Sequence, residues 1–168
     1  MKTKILLLSI FVFCTCNMFG QKTNPWYVDV STGYQFYTKG GDGMFAVNIG
    51  IQKQISKHFS LGLTTGGQFP KHLDPIIPVL ADARFILPID NSPIDLIGII
   101  RGGWYLDLNN TSHGIMNNFG FQVMPGVQFH ASKRFDVRFN VGYEKIFTTK
   151  SGGDFDMIPL HVGVAYKF

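Results

Sequence analysis

Apolar and polar residues alternate with period two along most of the chain beyond residue 25, the spacing that sends successive side chains to opposite faces of a pleated strand. The first such segment, 26–37, sets Val28, Val30, Thr32, Tyr34 and Phe36 against Asp29, Ser31, Gly33 and Gln35. The second, 44–54, opposes Phe45, Val47, Ile49 and Ile51 to Asn48, Gly50 and Gln52. The third, 59–68, opposes Phe59, Leu61, Leu63 and Thr65 to Ser60, Gly62, Thr64 and Gly66. In 76–87, Val79, Ala81, Ala83, Phe85 and Leu87 lie opposite Leu80, Asp82, Arg84 and Ile86. Segment 94–106 is ambiguous in its facing, because Ile97 and Ile99 fall in phase with Asp95 and Arg101. Strict alternation returns in 119–129 and in 135–147, where Phe135, Val137, Phe139, Val141 and Tyr143 oppose Asp136, Arg138, Asn140, Gly142 and Glu144. An eighth segment, 160–168, places Leu160, Val162, Val164, Tyr166 and Phe168 on one face and His161, Gly163, Ala165 and Lys167 on the other.

The connections alternate in kind. Those after the second, fourth and sixth segments are short and polar (55–58, 88–93 and 130–134), whereas 39–43, 108–118 and 148–156 are longer and rich in Gly, Asn and Asp. Tight turns on one rim and long loops on the other predict an all-β, antiparallel, up-and-down eight-stranded transmembrane β-barrel, with the short turns and both ends on the periplasmic side. A soluble lipocalin-like barrel uses the same alternation with its apolar face turned inward. Two features favour the membrane version: the polar face mixes Gly with opposite charges, as suits a narrow lumen, and aromatic residues such as Trp26, Phe59, Trp104, Phe119 and Phe147 recur near strand ends, as in interfacial girdles.

The N-terminus changes how composition and charge are read. Lys2 and Lys4 precede an apolar run over 5–14 that is too short to span a bilayer, and Gly20 supplies a small residue for cleavage, so 1–20 is expected to be a signal peptide and 21–168 the mature domain. Both cysteines, Cys14 and Cys16, then leave with the signal, and no disulfide or thiol chemistry is expected in the mature chain. Loss of Lys2 and Lys4 leaves 13 Lys+Arg against 11 Asp+Glu and lowers the net charge from +4 to +2, so no nucleic-acid partner is expected.

The segment from Leu160 to Phe168, with apolar alternate positions and a terminal aromatic, resembles the C-terminal recognition strand of outer-membrane β-barrels. Residues 21–168 as a whole resemble the small eight-stranded A- and X-type barrels of Gram-negative outer membranes, without the periplasmic domain that follows an A-type barrel. The resemblance implies an outer-membrane monomer in contact with membrane lipid and lipopolysaccharide. It also implies recognition of Leu160, Val162, Val164, Tyr166 and Phe168 by the outer-membrane assembly machinery.

Candidate chemistry is sparse. Gly40-Gly41-Asp42-Gly43 lacks the Lys-Ser/Thr of a phosphate-binding loop, and the five histidines have no ligand spacing, so neither cofactor nor metal is expected. His130-Ala131-Ser132 followed by Glu144 is similar in spacing to the site of outer-membrane lipid A deacylases. However, a strand over 135–147 separates Glu144 from the turn by about 30 Å. The inward charges Asp82, Arg84, Arg101, Asp136, Arg138, Glu144 and Lys167 are instead expected to pair across a filled lumen, since eight strands enclose little more than their own side chains. The leading functional expectation is a non-enzymatic barrel with a plugged polar lumen, serving envelope integrity or extracellular binding through its long loops. A lipid A-modifying enzyme and a narrow solute pore are the alternatives.

Overall fold

The computed structural model describes residues 25–71, 74–107, 118–148 and 154–168. The expected signal peptide, the 108–117 part of one long loop and the 149–153 part of another lie outside the described residues. Nine strands follow one another: β1 Trp26–Tyr37, β2 Met44–Ser56, β3 Phe59–Pro70, β4 Ile76–Pro88, β5 Ile94–Asp107, β6 Asn118–His130, β7 Phe135–Val141, β8 Tyr143–Thr148 and β9 Phe155–Lys167. Pairing is antiparallel throughout and follows chain order from β1 to β7, β7 and β8 each pair with both β6 and β9, and β1 pairs with β9 from Tyr27 opposite Lys167 to Tyr37 opposite Met157, closing the sheet on itself.

β7 and β8 are two halves of one stave, so the nine strands make an eight-staved barrel. The break has a local cause. Pro159 on β9 has no N–H to give to the ladder, and the residue facing it is Gly142, whose own N–H donates to the Pro159 carbonyl at 3.1 Å. Register is unchanged across the gap, with Val141 opposite Leu160 and Glu144 opposite Met157. β9 starts at Phe155, earlier than the 160–168 segment that alternation alone picks out. The reason is closure: Gln35, Phe36 and Tyr37 of β1 need partners, and Pro159, Ile158 and Met157 supply their register positions.

Burial settles which face is inside. Asp29, Gln35, Asn48, Gln52, Thr64, Asp82, Arg84, Arg101, Gln122, Arg138 and Glu144 are buried, while Val30, Ile49, Leu63, Val79, Ile100, Val123, Phe139 and Val162 are exposed. The ambiguous strands resolve the same way: Leu80 and Ile86 point inward with Asp82 and Arg84 on β4, and Ile97 and Ile99 point inward with Asp95 and Arg101 on β5. In the C-terminal strand Leu160, Val162, Val164 and Phe168 are exposed outward and Tyr166 is half-buried.

Rings gather toward both rims of the outer surface. Phe59–Phe85 and Phe135–Tyr166 pair at centroid distances of 5.1 and 5.0 Å on the short-turn side. Tyr34–Phe36 and Trp104–Phe119 pair at 4.9 and 6.1 Å on the long-loop side. An apolar band between two aromatic girdles is the surface a lipid bilayer requires.

A closed ladder leaves no edge to fray, so the mature barrel should migrate differently before and after boiling in detergent electrophoresis, with β-type circular dichroism retained in the unboiled sample. Equal mobility of the two samples would contradict closure. A Cβ at Gly33, on the β1–β9 seam, would sit 2.2 Å from the Leu160 carbonyl oxygen. Gly33→Val should therefore cost about 1–3 kcal/mol, read as a lower temperature for loss of the fast-migrating form.

Candidate functional site

Side chains from every stave converge on the barrel axis, and the charged ones form three groups along it. Nearest the short-turn rim, His130 bridges two carboxylates, with Nδ1 2.7 Å from Asp136 and Nε2 2.8 Å from Asp95. Gln128 joins this group by donating to Asp136 at 3.2 Å. At mid-height Asp29 Oδ2 accepts from both Arg84 and Arg138 at 3.3 Å, and Arg138 Nε also donates to Gln128 at 2.8 Å. Beside them Arg101 Nε donates to Asp82 at 2.7 Å, and the Thr64 hydroxyl donates to the same carboxylate oxygen at 3.0 Å. Toward the long-loop rim Glu144 accepts from Gln68 at 3.0 Å.

The sequence-predicted lumen residues are thus only partly joined. Asp82, Arg84, Arg101, Asp136 and Arg138 belong to the two lower groups, and Glu144, hydrogen-bonded by Gln68, Gln122 and Tyr105, is joined to Arg101 only indirectly, through Gln122. Lys167 lies half-buried at the short-turn rim with its ammonium 6.0 Å from the Tyr27 ring centroid, outside the ion-pair network. Asp29, Asp95 and His130 are additional members. Asp29 and Asp95 follow from their phase with the inward faces, whereas His130, which alternation leaves in the 130–134 turn, ends β6.

The polar groups do not fill the lumen alone. Met44, Leu80, Tyr105, Ile146 and Met157 form an apolar cluster on the long-loop side, and Ile86, Ile97, Ile99 and Met124 form a second one lower down. The inward face is therefore mixed, which is why β4 and β5 alternate so poorly.

The His130, Ser132 and Glu144 constellation is not brought together. Both ring nitrogens of His130 are engaged by carboxylates, and Ser132 Oγ accepts from the Arg134 and Phe135 amides of its own turn. Asp136, the register partner of His130, precedes Glu144 by eight residues, about 26 Å along the stave.

At the opposite end the barrel opens into a cleft of about 370 Å³ between the β1–β2 loop, the end of β3 and the start of β9. Its floor carries Tyr37, Pro70 and Phe155, with the Tyr37 and Phe155 rings 5.9 Å apart and resting on the upper apolar cluster. Charges ring the mouth as pairs: Lys39 with Asp156 at 3.7 Å, Lys71 with Asp42 at 3.1 Å, and Lys145 with Asp154 and Asp156 at 3.4 and 3.5 Å. The Tyr143 hydroxyl donates to Asp156 and helps to fix the mouth.

Removing one partner of a buried pair strands the other in low dielectric, at about 3–5 kcal/mol. Arg101→Met should accordingly lower the urea midpoint of the refolded barrel by that equivalent, and Asp82→Asn added to it should restore most of the loss. Planar-bilayer recordings of the wild type should show no stable large openings, with leakage increased by Arg101→Met.

No protein-family model matches the chain, and no curated protein matches it in sequence. Solved structures do match its architecture. Neisserial surface protein A (NspA) superposes with a TM-score of 0.70 at 15% identity, over 88% of this chain and 98% of that one. A de novo designed transmembrane β-barrel gives 0.55 at 17% identity, over 88% and 98%. The N-terminal β-barrel domain of Pseudomonas aeruginosa OprF gives 0.53 at 12% identity, over 88% and 100%. At these identities the likeness is one of fold. Together with the outward apolar band and the closed, filled interior, it gives this chain the fold of a small eight-stranded transmembrane β-barrel.

Proposed function

We propose that the protein is a non-enzymatic surface barrel that binds an external ligand in the cleft at its long-loop rim. The observation that carries this reading is the contrast between the two parts of the interior: a mid-lumen closed by ion pairs and apolar clusters, and an outer mouth of about 370 Å³ with an aromatic floor. Concave, mostly apolar sites with a few fixed polar groups are where small ligands bind. Because Lys39, Lys71 and Lys145 are each matched by a carboxylate, the mouth offers polar contacts without a strong net field. That combination suits an uncharged or zwitterionic amphipathic molecule, or a sugar ring stacked on Phe155 and Tyr37, better than a polyanion.

Outer-membrane lipid and lipopolysaccharide surround the band of exposed aliphatic side chains, the barrel works as a monomer, and the C-terminal strand addresses it to the assembly machinery. The filled lumen argues against a role as a solute pore. The separation of His130 and Ser132 from Glu144 argues against a deacylase-like site.

Screening the barrel in lipid nanodiscs against immobilised glycans and amphipathic small molecules, with Phe155→Ser alongside, tests the cleft. Binders retained by the wild type and weakened at least tenfold in the variant are the expected result; identical profiles would overturn the reading. For the C-terminal strand, deletion of Phe168 should reduce outer-membrane insertion in cells while leaving refolding of the purified protein in detergent nearly unchanged. Normal surface labelling of the deletion mutant at normal expression would count against the assembly role.

A further inference from the structure

Cations meet girdle rings at both rims of the outward face, and only the long-loop rim supplies them with acids. There the Lys145 ammonium lies 5.3 Å from the Phe147 ring centroid and is matched by Asp154 at 3.4 Å and Asp156 at 3.5 Å. On the short-turn side Lys53 repeats the arrangement at 5.4 Å over Trp26, its register partner, and Arg134 donates to the Tyr166 hydroxyl at 3.4 Å. Both cations are exposed, and among the described residues neither forms an ion pair. The Trp26 indole N–H has no acceptor among the described residues either, and the Tyr166 hydroxyl, accepting from Arg134, keeps its own proton to donate.

These groups share one side of the barrel. Lys53 is on β2, Trp26 on β1, Tyr166 on β9, and Arg134 leads into β7, four staves that are adjacent across the closing seam. At about 4.8 Å per stave the two cations stand about 14 Å apart. Lys57 and Lys133, both exposed, occupy the flanking turns and outweigh the Phe168 carboxylate beside Trp26. Asp90, the exposed acidic side chain of this rim among the described residues, belongs to the β4–β5 turn, diametrically opposite the seam in an eight-staved ring. Asp95 and Asp136 turn into the lumen, where His130 bridges them. From the cations toward mid-barrel the outward surface continues as exposed Ile51, Val164 and Val137.

We propose that this side of the short-turn rim is a binding surface for glycerophospholipids with a net negative headgroup, of the phosphatidylglycerol class. Phosphates rest on Lys53 beside Trp26 and on Arg134 beside Tyr166, while the acyl chains lie along Ile51, Val164 and Val137. A guanidinium fork and an indole N–H suit phosphate oxygens. A zwitterionic lipid carries its own ammonium and gains less from the two unpaired cations, and a soluble anion gains nothing from the aliphatic surface that continues the site. The barrel therefore selects its lipid neighbours by charge at this seam, and not at the long-loop rim, where Lys145 is already paired.

The test uses the full mature barrel with Trp104→Phe, which leaves Trp26 as the single tryptophan of the two in the chain. It is refolded into vesicles of equimolar phosphatidylglycerol and phosphatidylcholine, with bromine on the acyl chains of one lipid or the other, so that quenching of Trp26 reports which lipid is its neighbour. Each interfacial cation favours an anionic lipid about fivefold. Brominated phosphatidylglycerol should accordingly quench Trp26 with a preference of at least about fivefold over brominated phosphatidylcholine. Lys53→Gln together with Arg134→Gln should abolish the preference, and Lys53→Arg together with Arg134→Lys should retain it, which separates charge from packing. Equal quenching by the two lipids with both native cations present would overturn the proposal without recourse to any further variant. A preference that persists in the double glutamine variant would overturn it as well. Displacement of phosphatidylglycerol by equimolar lipid A, or by inorganic phosphate at constant ionic strength, would assign the surface to that anion and overturn the choice of a glycerophospholipid.

Discussion

Pairing of β1 with β9 is the constraint from which the other features of this molecule follow. Eleven register pairs run along that seam, from Tyr27 opposite Lys167 to Tyr37 opposite Met157, and they leave no strand edge open. In hydrocarbon an unpaired backbone N–H or C=O costs several kcal/mol, so a sheet can cross a bilayer only when it is closed. Closure at eight staves also fixes the interior diameter, and with it what the inward side chains must do. They have to fill the space with one another.

The usual division of a folded chain is inverted here. Valine, phenylalanine and most of the leucine and isoleucine face outward, while arginine, aspartate, glutamine and asparagine supply most of the buried positions. Apolar burial therefore contributes to insertion into the bilayer, and uniqueness of the interior comes from hydrogen-bonded charge. Such pairs are sensitive to loss of one member far more than to joint replacement by apolar groups. The two apolar clusters relieve part of that demand, since Ile86, Ile97, Ile99 and Met124 fill volume between the charged layers without needing partners.

The same rigidity separates scaffold from function. Staves locked by continuous pairing and a cross-linked lumen hold the loop ends of the long-loop rim in place, and loops over a rigid scaffold are where recognition residues are free to vary. Tyr37 and Phe155 illustrate the arrangement: each belongs to a strand end, rests on the upper apolar cluster and still presents a face to the cleft.

Period two along the chain was enough to place the staves, because a half-polar strand repeats its environment every second residue whatever the fold around it. It located β1 at its observed bounds, and it put Asp82, Arg84, Arg101, Asp136, Arg138 and Glu144 on the inward face. The alternation could not say which of these charges meet. Asp29 reaches Arg138 across 109 residues and Arg84 across 55, distances that only closure of the sheet makes short. Nor could it extend β9 back to Phe155, because Asp156 and Pro159 read locally as a turn and only the partner strand β1 overrides them. The outer cleft is likewise a product of tertiary structure: Tyr37, Lys71 and Phe155 lie at or beside the ends of three different strands and carry no shared motif, and they become one surface because those strand ends meet at a single rim.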